Sequence, residues 1–193
     1  MKDNKQVRMY VDVDGCINAS HSKLEWDDAP SRGSASPEGE GGFQYNITWS
    51  QAMIDDLSLL DVEIVWLTTW CEAAPVEIGG LTGFGRNARV LRPLGGGNIS
   101  FPSIGWKVLS LIDDQQNDPS PYIWIDDELS DQMSVIVDEV GLKYAGLYIR
   151  PIYIMGISKH QVGEMDKFIQ SSSSHVPDGP ATLDPGPGPV DPG

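Results

Sequence analysis

Residues 7–18, V-R-M-Y-V-D-V-D-G-C-I-N, carry an apolar strand pattern straight into two aspartates and a glycine. Few folds tolerate a buried strand that ends this way. Asp12 and Asp14 are two apart, so a continuing strand points both side chains to one face. Like charges at that spacing repel, and burying them is costly unless something positive lies between them. A metal ion, a lysine or both would meet that need.

The pattern returns along the chain. Residues 62–68, V-E-I-V-W-L-T, read as a β-branched apolar strand that ends in Thr68 and Thr69. Residues 122–125, Y-I-W-I, form a short apolar run ending in Asp126 and Asp127, and 147–150 read as a further strand. Between them, helical spacing predicts helices over 49–60 (with Thr48 as N-cap), 104–112, 129–140 and 158–169. Short apolar strands alternating with helices predict an α/β fold: a three-layer, Rossmann-like domain with a mainly parallel sheet. In such sheets functional groups gather at the carboxyl ends of the strands.

Composition narrows the partners. Thirteen basic residues against 28 acidic ones give a formal charge of −15 over 193 residues. That field disfavours a protein held on nucleic acid by a broad basic surface. It leaves room for a local basic pocket or for a divalent cation. Arg86, Arg89 and Arg92 form the one basic cluster, read as a solvated face, with contact to a substrate phosphate as the alternative. Two cysteines, Cys16 and Cys71, do not make a disulfide framework, so a cytoplasmic setting and two small buried thiols are expected. M-K-D-N-K-Q-V-R lacks an apolar run after its charges, so no signal peptide is expected. No apolar stretch reaches the roughly 18 residues of a membrane span. Residues 1–170 are expected to form the domain. Residues 171–193, rich in Ser, Pro and Gly, are expected to be a disordered tail, and 27–42 a flexible loop.

Three strands of one parallel sheet would bring Asp12, Asp14, Asp126, Asp127 and the hydroxyls of Thr68 and Thr69 to one edge. Lys107, in G-W-K near the start of the helix expected at 104, adds an ammonium. Such a set suits phosphoryl transfer. Carboxylates hold Mg²⁺ together with substrate phosphate, an aspartate can attack phosphorus, and hydroxyl and ammonium groups stabilise the transferring oxygens.

At these residues the chain resembles the haloacid-dehalogenase (HAD) superfamily. D-V-D-G-C-I-N is similar to its first motif, W-L-T-T to its second, Lys107 to its third and W-I-D-D to its fourth, in that order over about residues 7–130. The tryptophan-rich variants resemble the HAD domains of "Swiss army knife" RNA-repair proteins. The resemblance implies a Mg²⁺-dependent phosphatase. Asp12 would be nucleophile and metal ligand. Asp14 would be acid and then base, with its carbonyl on the metal. Thr68, with Thr69 as the neighbouring choice, would bind phosphoryl oxygens, Lys107 would neutralise the aspartyl-phosphate, and Asp126 and Asp127 would ligate Mg²⁺. Cys16 departs from the usual residue, and Asp131 is a second choice for the metal. Residues 19–46 stand where this superfamily inserts a cap, but they are too few for a folded one, so a short lid is expected. The implied substrate is a phosphate ester, with a nucleotide or nucleic-acid end as the narrower expectation. Two rival readings are a phosphotransferase and a non-catalytic phosphate-binding or protein-interaction module on the same scaffold. Trp70, just past the second motif, is read as core packing, with base stacking as the alternative.

Overall fold

The computed structural model describes residues 5–20, 26–96 and 104–174. Its centre is a five-stranded sheet formed by β1 (Val7–Val11), β4 (Val62–Trp66), β5 (Arg89–Val90), β6 (Tyr122–Ile125) and β7 (Gly146–Ile149), in the order β5-β4-β1-β6-β7. Every pairing in it is parallel. All five residues of β1 are buried. A central parallel strand covered on both faces reads as a continuous apolar run rather than an alternating one, and V-R-M-Y-V departs from that only at Arg8.

Helices cover both faces. Val7, Met9 and Val11 of β1 face a core shared with α1 (Gln51–Ser58) and α5 (Lys159–Ser174). Tyr10 faces the opposite core, where Ile104, Val108 and Leu111 of α3 (Ile104–Asn117) meet Val137 of α4 (Asp131–Glu139). Alternation along one strand thus feeds two cores, and the result is a three-layer α/β domain of Rossmann-like form. The chain leaves β1 toward β4 on one side and β6 on the other, so the strand order reverses at β1. Crevices at such reversals, beyond the carboxyl ends of the strands, are where open α/β sheets bind ligands.

Several elements differ from the sequence expectation. The expected loop at 27–42 contains β2 (Ser31–Ala35), which pairs antiparallel with β3 (Tyr45–Trp49). Its S-R-G-S-A sequence is too polar for a strand signal, and the pairing is supported by Ala35 and Ile47, both fully buried. The described part of the expected lid at 19–46 therefore forms a β-hairpin with β3, packed on the core, and residues 21–25 lie outside the described residues. Thr48 and Trp49 belong to β3 rather than to a helix start. Ser50 is the N-cap instead, accepting from the Met53 N–H at 3.0 Å, and Asp28 adds acceptors for the N–H groups of Gln51 (2.8 Å) and Ala52 (3.2 Å). A short π-helical turn (Ala74–Ile78), α2 (Gly79–Thr82) and β5 carry too few residues to show a period. Helix α3 runs five residues beyond its expected end. Helix α5 continues through 171–174, within the segment expected to be tail; the remainder of that segment lies outside the described residues. Among the described residues no helix is long and apolar enough to cross a membrane.

Candidate active site

The ends of β1, β4 and β6 are locked side by side. The Leu67 N–H donates to the Val11 carbonyl at 3.0 Å, the Asp12 N–H to Ile125 at 3.0 Å and the Asp126 N–H to Ile149 at 3.2 Å. These bonds carry the ladder one residue past each strand. They fix where Asp12 and Asp126 leave the sheet, with Thr68 one residue beyond Leu67.

Lys107 reaches this edge from the first turn of α3. Its Nζ donates to Asp12 Oδ2 at 2.8 Å and to Asp126 Oδ2 at 2.7 Å. The side chain is 1% exposed, as deep as the hydrophobic core. Burial opposes the ammonium charge, but the Asp12 and Asp126 carboxylates outweigh it and lift the Lys107 pKa above its ordinary value. Asp12 Oδ1 accepts from the Val13 N–H at 2.8 Å, and Asp126 Oδ1 from the Glu128 N–H at 3.0 Å.

Asp12, Asp126 and Asp127 each offer a carboxylate oxygen within 4.8 Å of the others. Three carboxylates against one ammonium leave the cluster two charges negative. The consequence is visible in its acids. Burial first, then the nearby Asp12 charge, raises Asp126 well above the ordinary carboxylate range, against the pull of Lys107. The same two causes raise Asp127 to about 6. Hard oxygen donors so placed could hold a metal ion.

The turn after β1 sets the remaining geometry. The Val13 carbonyl accepts from the N–H groups of Ile17 and Asn18, both at 2.9 Å. Gly15 sits at φ +69°, and a Cβ there would fall 2.5 Å from Asp127 Cγ and 2.8 Å from a Tyr153 ring carbon. Glycine is required at this position both for the backbone and for the space. Asp14 turns away from the carboxylate cluster. Its Oδ1 accepts from Asn18 Nδ2 at 2.9 Å and its Oδ2 from the Trp70 indole N–H at 2.8 Å. The Asp14 carboxylate is therefore not part of the three-acid cluster; the expected metal contact through its carbonyl is a separate matter.

Thr68 is fully buried, and its hydroxyl accepts from the Trp70 N–H at 3.3 Å. Thr69 is exposed. The turn they begin is tight enough to place Cys71 at φ +44°, the one non-glycine residue at positive φ among the described residues. Asp131 opens α4, exposed and outside the cluster. Burial, followed by the charges of Asp12, Asp126 and Asp127, raises the Cys16 thiol far above its ordinary pKa and keeps it protonated. Cys16 and Cys71 are both free thiols; Cys16 is buried as expected, whereas Cys71, in the turn after Thr68, is only partly buried.

The arginines are engaged separately. Arg89 binds Glu63 at 2.8 Å and Asp114 at 2.7 Å. Asp114 follows Lys107 by seven residues, about two turns or 10 Å down α3, so Arg89 turns away from the site. Arg86 donates to the Gly80 carbonyl at 3.1 Å, and Arg92 pairs with Glu72.

Sequence reasoning missed the two donors on Asp14. Asn18 lies four residues after Asp14, within one turn of chain. Trp70 follows W-L-T-T directly, and its indole N–H needs a partner once buried. Trp70 is indeed only 4% exposed, so packing and hydrogen bonding coincide in one residue.

Comparisons with protein-family models, with curated proteins and with solved structures gave no match.

Proposed function

We propose that this protein is a Mg²⁺-dependent phosphatase that works through an aspartyl-phosphate, in the manner of the HAD superfamily its motifs resemble. The observation that carries the reading is Lys107 bridging Asp12 and Asp126 at the strand-order reversal, with Asp127 beside them and Asp14 two residues on. Phosphate monoesters are the proposed substrates, with a nucleotide or polynucleotide end as the narrower class.

Asp12, Asp126 and Asp127 would hold Mg²⁺, which supplies charge neutralisation for the phosphoryl oxygens. A carboxylate oxygen of Asp12 attacks phosphorus while the ester P–O bond breaks. Asp14 gives its proton to the departing oxygen. Water then attacks the phosphorus of the Asp12 phosphate, Asp14 takes the proton, and the Asp12 carboxylate and inorganic phosphate are released. Lys107 keeps Asp12 oriented and offsets part of the charge throughout.

A panel of phosphate esters, including 3′- and 5′-phosphorylated oligonucleotides, assayed with Mg²⁺ and with EDTA tests this. Phosphate release that requires Mg²⁺ is expected. Absence of release from every ester, or release undiminished by EDTA, would overturn the proposal.

A further inference from the structure

The hairpin places a file of aromatic rings beside Asp14. On β3, Tyr45, Ile47 and Trp49 share a face, because alternate residues of a strand do. Ile47 is fully buried and Trp49 is 6% exposed, so this is the core-facing side. Tyr45 belongs to the same face yet is 48% exposed. There the face has run past the core. Its ring meets Trp70 edge-on at 6.1 Å between centroids, and Phe43, 68% exposed, meets Tyr45 the same way at 5.0 Å. Trp70 in turn holds Asp14 through its indole N–H. The file thus runs Asp14, Trp70, Tyr45, Phe43, from a part-buried hydrogen bond out to solvent.

The hairpin is anchored to the same turn. The Thr48 N–H donates to Asn18 Oδ1 at 3.0 Å, the Ala19 N–H donates to the Thr48 carbonyl at 2.8 Å, and Asn18 holds Asp14 from its other side. The position of Tyr45 relative to Asp14 is therefore set by hydrogen bonds at Thr48 and by the ring contact with Trp70.

We infer that Tyr45 and Phe43 form a stacking shelf for a flat heteroaromatic ring on the leaving-group side of the site, which selects nucleoside monophosphates over phosphate esters without a ring. The inference rests on the phosphatase reading for its direction. If Asp14 protonates the departing oxygen, whatever that oxygen carries emerges beside Asp14. Trp70, which donates to Asp14, is in edge contact with the exposed Tyr45 ring, and Tyr45 with the exposed Phe43 ring. The ring must stand several bonds from phosphorus, as a base does beyond its sugar. A Cβ at Gly15 would meet both the Tyr153 ring and Asp127, so Tyr153 lies at the turn rather than on the hairpin and is not part of the shelf.

Binding of two phosphonate analogues, of adenosine 5′-monophosphate and of ribose 5-phosphate, is measured by calorimetry with Mg²⁺; neither can be hydrolysed. The adenosine analogue is expected to bind about tenfold more tightly, which is within the range of one base–aromatic stack. Tyr45→Ala should bring the ratio close to one and Tyr45→Phe should restore it, since the hydroxyl is not needed for stacking. Equal affinity of the two analogues for the parent protein overturns the shelf, as does a preference that survives both Tyr45→Ala and Phe43→Ala. A Tyr45-dependent preference in a protein that releases phosphate from no ester of the panel keeps the shelf and removes the phosphatase reading instead.

Discussion

Strand β1 has an ion cluster at each end, and the two are built on opposite principles. Arg8, near its start, is 4% exposed and binds Glu63 at 2.8 Å, Asp114 at 3.1 Å and Asp118 at 2.7 Å. Arg89 shares Glu63 and Asp114, and Lys5 pairs with Asp118. Three cations meet three carboxylates. Burial opposes the charges of Asp114 and Glu63, yet the arginines outweigh it and hold both below their ordinary pKa; the hydrogen bonds from Lys5 and Arg8 bring Asp118 to about 2. Past the other end of the strand, four residues or about 13 Å away, one lysine faces three carboxylates, and two of them are raised. A balanced cluster staples strands to helix α3. An unbalanced one stores a demand for positive charge, which the proposed Mg²⁺ would meet.

The sharpest way to break the comparison is to remove one acid from each end. Asp12→Asn should lower turnover by at least about a thousandfold, because an amide cannot serve as the nucleophile, while the far-ultraviolet circular dichroism stays native. Residual activity near the parent level would exclude a covalent step at Asp12. At the other end Asp114→Asn should leave turnover intact and cost stability, since Arg8, Arg89 and Tyr10 all bond to it.

Removing the cation there has the larger structural effect. Arg8→Met should cost about 2 kcal/mol of unfolding free energy, the scale of hydrogen bonds to charged groups, since the carboxylates it leaves are partly exposed and keep Arg89 and Lys5 as partners. Urea denaturation reads the loss, and kcat of the folded fraction should change less than twofold. A collapse of kcat with unchanged stability would contradict the assignment of this end as a staple.

How much of this was legible in the sequence follows from the same contrast. The strand ends at Asp12, Thr68 and Asp126 were readable, because a buried apolar run that stops at carboxylates or hydroxyls has few explanations. Lys107 was readable as a candidate but not as a bridge, since its two bonds depend on the spacing of β1, β6 and α3 in space. Arg8 was invisible within V-R-M-Y-V, as its partners lie 55, 106 and 110 residues away in sequence. The hairpin was hidden for another reason. Ser31–Ala35 has almost no apolar content, so its pairing comes from tertiary packing on the core rather than from its own strand preference.

Asp14 lies between the two extremes, held by neutral donors rather than by cations. Trp70→Phe keeps a ring and removes the donor. Loss of one hydrogen bond to a carboxylate is worth roughly 1.5 kcal/mol, or about tenfold in rate. The loss should be confined to kcat/KM for alkyl phosphates, whose departing oxygen needs a proton. It should be under twofold for p-nitrophenyl phosphate, whose phenolate leaves without one. An equal loss on both substrates would mark Trp70 as a packing residue that positions nothing.

The smallest effect separates the two ends most cleanly. Asp127 is half-buried and its carboxyl is raised to about 6, first by burial and then by Asp12. A carboxyl raised above its unfolded value contributes nothing to stability below about pH 4, where it is protonated in both states. Its ionisation costs stability increasingly between about pH 4 and 6, and fully above that. Asp127→Asn should therefore stabilise the EDTA-treated protein by about 1 kcal/mol at pH 8, after discounting for solvent screening of a half-exposed group, and by almost nothing at pH 4. Mg²⁺ should stabilise the parent protein at pH 8 and erase or reverse the advantage of the variant, because a bound cation turns the surplus carboxylate into a ligand. Asp114→Asn should show the opposite pH course. Its carboxyl is lowered, so the stability it contributes is present near neutrality and lost as pH falls through the carboxylate range. Thermal melts of both variants across pH 4 to 8, with and without Mg²⁺, decide the matter; parallel curves would mean that the two clusters do not differ in charge balance after all.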